Sequence, residues 1–325
     1  MATFVKRPHP RHLAAALLLL AVPALADAPA TQTAKRPGFM WKVTSPTTTA
    51  YLVGSIHAAS EDMYPLPTEM EQAFKDASIL VVELDITKVN QLAVSMQALD
   101  LGTYKNGDTL DEHVPAETME QIRTFCKDNG LPESALSVMK PWMAGLTMAG
   151  VAMTKAGLDP GKGIDEHFLE EDQGKKVVEL ESADSQIQML STLTDAEQVS
   201  FLKMSNDDMK NMAGELKDLA AAWKSGDEKS MLKLLDESYD TDKNAKSVGE
   251  KLVYSRNAAM AEKITGLLKG DDKVFVVVGA AHLLGDRGIV ALLQKQGFKV
   301  ERVPMTLPPP PPPQPASAPA TSPAP

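Results

Sequence analysis

Two segments of this chain share the pattern Gly-x-x-His: Gly54-Ser55-Ile56-His57 and Gly279-Ala280-Ala281-His282. Each follows an apolar run, Tyr51-Leu52-Val53 in one case and Val274 to Val278 in the other. A third apolar run, Ile79 to Val82, ends in Glu83, with Asp85 close behind. Two imidazoles and a carboxylate form a metal-ligand set that leaves positions open for water and substrate. The glycines are read as points where the chain turns sharply and where a substrate or ion can approach the backbone. A single histidine at a strand end is often only a satisfied polar residue. The same solution at two equivalent places favours a site.

Other reactive residue types carry weaker signals. His113, in Asp-Glu-His-Val-Pro, reads as part of a solvated turn. His167, in Gly163-Ile-Asp165-Glu-His, has no second histidine four residues on, so the zincin pattern fails. Asp165 follows a glycine where a helix begins, and helix capping is the simpler account of it. Arg256, beside Asn257, Ala258, Ala259 and Met260, is either a surface charge or a planar donor for a carboxylate or a developing oxyanion. Cys126 is the single cysteine and reads as a small buried apolar residue. The chain contains no Gly-x-Ser-x-Gly elbow, Walker A loop or Gly-x-Gly-x-x-Gly fingerprint, which counts against the usual serine hydrolases and nucleotide-dependent enzymes.

These residues need a scaffold that gathers them. Phe39 to Val43, a Ser-Pro-Thr turn and Thr48 to Val53 predict a hairpin. Leu66 to Ala77 has helical spacing, with Pro67 in the first turn, and leads to the buried strand Ile79 to Val82 as a parallel crossover. Lys176 to Leu180 and Val274 to Val278 predict two further strands. Leu283 to Gln296 predicts a helix capped by Gly297, and Lys299 to Val303 an edge strand. Residues 115–156 and 184–270 read as helical, with Thr194-Asp-Ala-Glu197 as a capping box and Gly226 as a break; their many methionines read as core filler. The expected fold is α/β: a mixed, largely parallel sheet with helical insertions. Ligands of such sheets bind beyond the carboxyl ends of the strands, where the two histidines and Glu83 would meet.

Both ends read as non-globular. Lys6, Arg7 and Arg11, the apolar stretch Leu13 to Val22 and Ala24-Leu25-Ala26 have the form of a signal peptide, residues 1–26, cleaved near Ala26. The apolar stretch is far shorter than the ~20 residues that span a bilayer. A periplasmic or secreted destination follows, with no membrane span. From 306 to 325 the sequence is a proline- and alanine-rich tail, leaving 36–305 as the folded body. Without its leader the chain keeps 30 basic against 43 acidic residues, which argues against nucleic acid as a partner.

The ordered motifs resemble the TraB/GumN family, whose bacterial branch is YbaP-like. They are Trp41-Lys-Val, Tyr51-Leu-Val-Gly-Ser-Ile-His57, Tyr64-Pro-Leu-Pro67, Val82-Glu83-Leu-Asp85, Gly163-Ile-Asp165, Leu180-Glu181, Arg256-Asn257 and Val278-Gly-Ala-Ala-His282. That family is similar to the Tiki metalloproteases of animals and, more distantly, to the haem-binding ChaN and erythromycin-esterase folds. The resemblance implies His57, Glu83 and His282 as metal ligands or general bases. It also implies Arg256 as a stabiliser of developing charge, supported by Asp165. A divalent ion is implied, Mn²⁺ or Co²⁺ with Zn²⁺ as an alternative, acting on a peptide or protein substrate. Two other readings stay open: a metal-independent, esterase-like hydrolase, and a non-catalytic peptide-binding or regulatory protein.

Overall fold

A six-stranded sheet forms the centre of the protein, in the order β4-β3-β5-β2-β1-β6. The strands are β1 (Met40–Thr44), β2 (Thr49–Ser55), β3 (Ile79–Val82), β4 (Lys176–Glu179), β5 (Val274–Gly279) and β6 (Lys299–Arg302). The structure is a computed structural model and describes residues 38–172, 174–204 and 212–306. The expected signal peptide, and the expected tail from Leu307 onward, lie outside the described residues.

β1 and β2 form the predicted antiparallel hairpin, with Met40 opposite Val53. β2, β5, β3 and β4 are mutually parallel neighbours, and β6 pairs antiparallel with β1 at the edge. Five strands therefore run one way and β1 alone runs against them. β3 and β5 are buried along their whole length, which explains their unbroken apolar sequences. The crossover from β2 through the Thr68–Asp76 helix reaches β3 two places away, because β5 is inserted between them. Pro67 is the cap of that helix rather than part of its first turn.

The predicted Leu283–Gln296 helix is two short ones, Ala280–Leu283 and Ile289–Lys295. Gly285 between them has φ +75°. A Cβ on Gly288 would lie 2.3 Å from the Leu284 carbonyl oxygen, so the chain can fold back there only without a side chain. The helical insertion includes Pro141–Ala156, Asp195–Met204, Met212–Ser225 and Glu228–Tyr239. The capping box forms as predicted: Thr194 donates its backbone N–H to Glu197 at 2.8 Å, and Glu197 returns its own to the Thr194 hydroxyl at 3.3 Å. Lys251 Nζ lies 2.7 Å from the same Glu197, tying the insertion to the segment that leads into Arg256. Cys126 is buried in the Ala116–Asp128 helix. Among the described residues, no helix is long and apolar enough to cross a membrane.

Candidate active site

The parallel ladder between β2 and β5 pairs Gly54 with Val278 and Ser55 with Gly279. The two Gly-x-x-His motifs therefore leave adjacent strands at the same edge, one residue out of step. β3 ends beside them and delivers Glu83. His57 Nε2 lies 3.9 Å from Glu83 Oε1, and His282 Nε2 lies 3.7 Å from Glu83 Oε2. Glu83 and His282 are buried, while the His57 side chain is 25% exposed and so can meet a ligand from outside.

The glycines act by close packing rather than by sharp turning. Gly54 lies within β2, and a Cβ there would meet Phe39 Cβ at 2.9 Å and the Ala280 backbone at 3.1 Å. A Cβ on Gly279 would fall 3.2 Å from His57 Nε2 and 3.3 Å from Glu83 Oε1. The missing side chain keeps open the space that the two rings and the carboxylate surround.

Each ring is fixed by a partner on its far nitrogen. His57 Nδ1 donates to Asp165 Oδ1 at 3.1 Å, and the same oxygen accepts the Ser55 hydroxyl. Asp165 sits in the first turn of the Ile164–Glu170 helix, whose cap is Gly163, so Asp165 serves the histidine and not the helix end. His282 Nδ1 lies 2.6 Å from Asn257 Oδ1, and Asn257 Nδ2 donates to the Arg287 carbonyl at 2.9 Å. A carbonyl can only accept, which orients the Asn257 amide and makes His282 Nδ1 the donor. Both histidines thus turn an Nε2 toward Glu83 with the tautomer set from behind.

Arg256 braces the carboxylate. Its Nη2 lies 2.9 Å from Glu83 Oε2, its Nε lies 2.6 Å from Glu181 Oε1, and a second contact to Glu181 completes the fork. Arg256 Nη1 donates to the Leu252 carbonyl at 2.6 Å, within the π-helical turn Glu250–Tyr254 that precedes the Ser255–Leu267 helix. Gly279 N–H donates to Glu83 Oε1 at 2.7 Å. Glu181 and Asn257 have roles that sequence reasoning did not give them. Glu181 follows the end of β4, so the strand-end rule that picks out Glu83 also points to it. Asn257 stands in the family motif Arg256-Asn257, but no residue pattern gives it a role of its own.

The electrostatics follow from these partners. Burial works against the His57 proton, but the charge and hydrogen bond of Asp165, with Glu83 behind, raise its pKa to about 9. Burial lowers His282 to about 4, because its Nδ1 partner is a neutral amide and Arg256 is near. Burial also opposes ionisation of Glu83, but His282, His57, Arg256 and the Gly279 N–H hold it at about 2. One ring is therefore charged and the other neutral around neutral pH. With chelator present, ¹⁵N resonances should show His57 losing its proton near pH 9 and His282 gaining one near pH 4. Two rings titrating together near pH 6.5 would contradict this arrangement.

Asp85, His113 and His167 lie outside the cluster. Asp85 is buried against Thr87 and Lys88, His113 pairs with Asp108, and His167 Nε2 lies 2.9 Å from Glu71. Among the described residues, no group of three or more His, Cys, Asp or Glu side chains is placed so that it could hold a metal ion. The donor chemistry nevertheless suits a divalent cation, with two oriented imidazole nitrogens, a buried carboxylate and a glycine that leaves room between them.

Residues 39–302 match the TraB/PrgY/gumN family. The chain belongs to that family. The uncharacterized protein YbaP of Shigella flexneri is 27% identical over 247 residues, covering 75% of this chain and 88% of the relative. YbaP of Escherichia coli strain K12 is likewise 27% identical, over 75% of this chain and 87% of its own length. A shorter likeness, 37% identity over 57 residues, links 17% of this chain to 11% of the metalloprotease TIKI2 of Xenopus tropicalis. No solved structure matches the chain.

Proposed function

We propose that this member of the TraB/PrgY/gumN family is an exported, periplasmic or secreted, metal-dependent hydrolase of peptides. The observation that carries the proposal is the convergence of two oriented histidine Nε2 atoms on one buried carboxylate. The short likeness to a metalloprotease supports the same chemistry. His57, His282 and Glu83 would hold the ion, with Mn²⁺ or Co²⁺ favoured and Zn²⁺ as the alternative. When bound, such an ion supplies a Lewis acid for the substrate carbonyl and lowers the pKa of water.

The chain's own groups have separable tasks. Asp165 and Asn257 hold the rings in register from behind. Glu83 takes the proton of the attacking water as the water oxygen bonds to the carbonyl carbon. It returns that proton to the amine nitrogen as the carbon–nitrogen bond breaks. Arg256 has its Nε, Nη1 and Nη2 engaged, so it acts through Glu83, aiming the carboxylate and balancing its charge.

His57 would have to give up its Nε2 proton to hold a cation, so binding would be coupled to proton release. Calorimetric titration of the mature protein with Mn²⁺, Co²⁺ and Zn²⁺ should give one ion per chain. Near neutral pH about one proton should leave with each ion. His57→Ala and His282→Ala should each abolish the binding. Stoichiometric binding that both variants retain would put the ion elsewhere.

A further inference from the structure

The two Gly-x-x-His motifs also form one wall of a cavity of about 110 Å³. Its opposite wall comes from the helical insertion: Leu216, Leu219 and Trp223 on one helix, Met231 and Leu235 on the next. We infer that this cavity is the specificity pocket of the proposed hydrolase and receives an aliphatic side chain of leucine size from the residue beside the scissile bond. The inference rests on the hydrolase reading only for the word scissile; the pocket can be tested without turnover.

Several polar groups on the wall are engaged elsewhere, so the polar side of the cavity is the histidine wall and the wall from Leu216, Leu219, Met231 and Leu235 is apolar. The Ser55 hydroxyl is bonded to Asp165, the Trp223 indole N–H donates to the Gly54 carbonyl at 2.7 Å, and His282 Nδ1 is held by Asn257. A hydrocarbon group can enter without stranding any of these donors. The volume sets the size. Benzene fills an apolar cavity of roughly 150 Å³, so about 110 Å³ suits a branched aliphatic chain better than an indole. Charge sets the class. Glu83, Asp165 and Glu181 outnumber the cations Arg256 and His57 at the histidine wall, so the carboxylate of a fatty acid is disfavoured where a neutral peptide amide is not. A lysine side chain would have to leave its charge in an apolar pocket, which is costly.

The test uses blocked tetrapeptides Ac-Ala-X-Ala-Ala-NH₂, with X as Leu, Ala, Lys or Trp, titrated calorimetrically into the mature protein in chelator. The X = Leu peptide should bind roughly tenfold or more tightly than X = Ala, with Lys and Trp no better than Ala. Leu219→Phe, at a half-buried position, should narrow the pocket and remove the Leu preference. Met231→Ala should enlarge it and shift preference toward X = Trp. Equal binding of the Leu and Ala peptides, or a Leu preference that both variants retain, would overturn the assignment. Myristate binding more tightly than X = Leu in a Leu219-dependent way would also overturn it, in favour of an acyl chain. A Leu preference in binding without hydrolysis under any metal upholds the pocket and sinks the hydrolase reading. Hydrolysis that ignores X does the reverse.

Discussion

Replacing Arg256 by alanine should destabilise the protein by about 3–5 kcal/mol, the usual consequence of leaving buried charge without its partner. Two carboxylates depend on this guanidinium. Glu83 and Glu181 have side chains only 10% and 14% exposed, so water does little to replace it. Arg256→Lys should recover only part of the loss, since an ammonium cannot reproduce the fork that reaches both carboxylates and the Leu252 carbonyl. Urea unfolding of the two variants measures this directly. A loss under about 1 kcal/mol, typical of exposed pairs, would mean that the network is hydrated and does not hold Glu83 in place.

Glu83→Gln should lower peptide hydrolysis by roughly 100- to 10,000-fold, the range for loss of a positioned acid–base group. The substitution preserves shape, and Arg256 keeps its forked contact with Glu181, so the fold should survive. A glutamine oxygen can still accept the Gly279 N–H, but the amide carries neither the charge nor the proton affinity of the carboxylate. The comparison is of initial rates at matched metal loading, with circular dichroism to show that both proteins are folded. Unchanged hydrolysis in Glu83→Gln would assign the proton transfer to another group.

Much of this geometry is legible in the sequence. β3 and β5 stand out because strands buried on both faces tolerate only apolar residues, and the residues that follow each such run then fall at the ligand-binding edge. That rule reaches His57, Glu83 and His282 together. It points to Glu181 after β4 as well, without showing what that residue meets, and it falls short where the signal is a partner rather than a pattern. Glu181 matters because Arg256 meets it across 75 residues of sequence, and Asn257 because it fixes a histidine tautomer. The helix expected over Leu283–Gln296 breaks because Gly285 and Gly288, tolerable in a helix by propensity, are here placed where only glycine fits. The cavity is hidden for a different reason. Leu216, Leu219 and Met231 have the spacing of ordinary core residues, and only the packing of their helices over the two motifs turns part of that core into a wall.

If the space among His57, Glu83 and His282 is a site of metal-dependent peptide hydrolysis, turnover must follow both the ion and the two rings. The most direct measurement is cleavage of an unstructured polypeptide by the purified protein, loaded with Mn²⁺, Co²⁺ or Zn²⁺ and compared with the same protein in chelator. Cleavage should occur with at least one of these ions, be absent in chelator, and be lost in His57→Ala and His282→Ala. Cleavage that persists in chelator and in both variants would contradict this reading of the site.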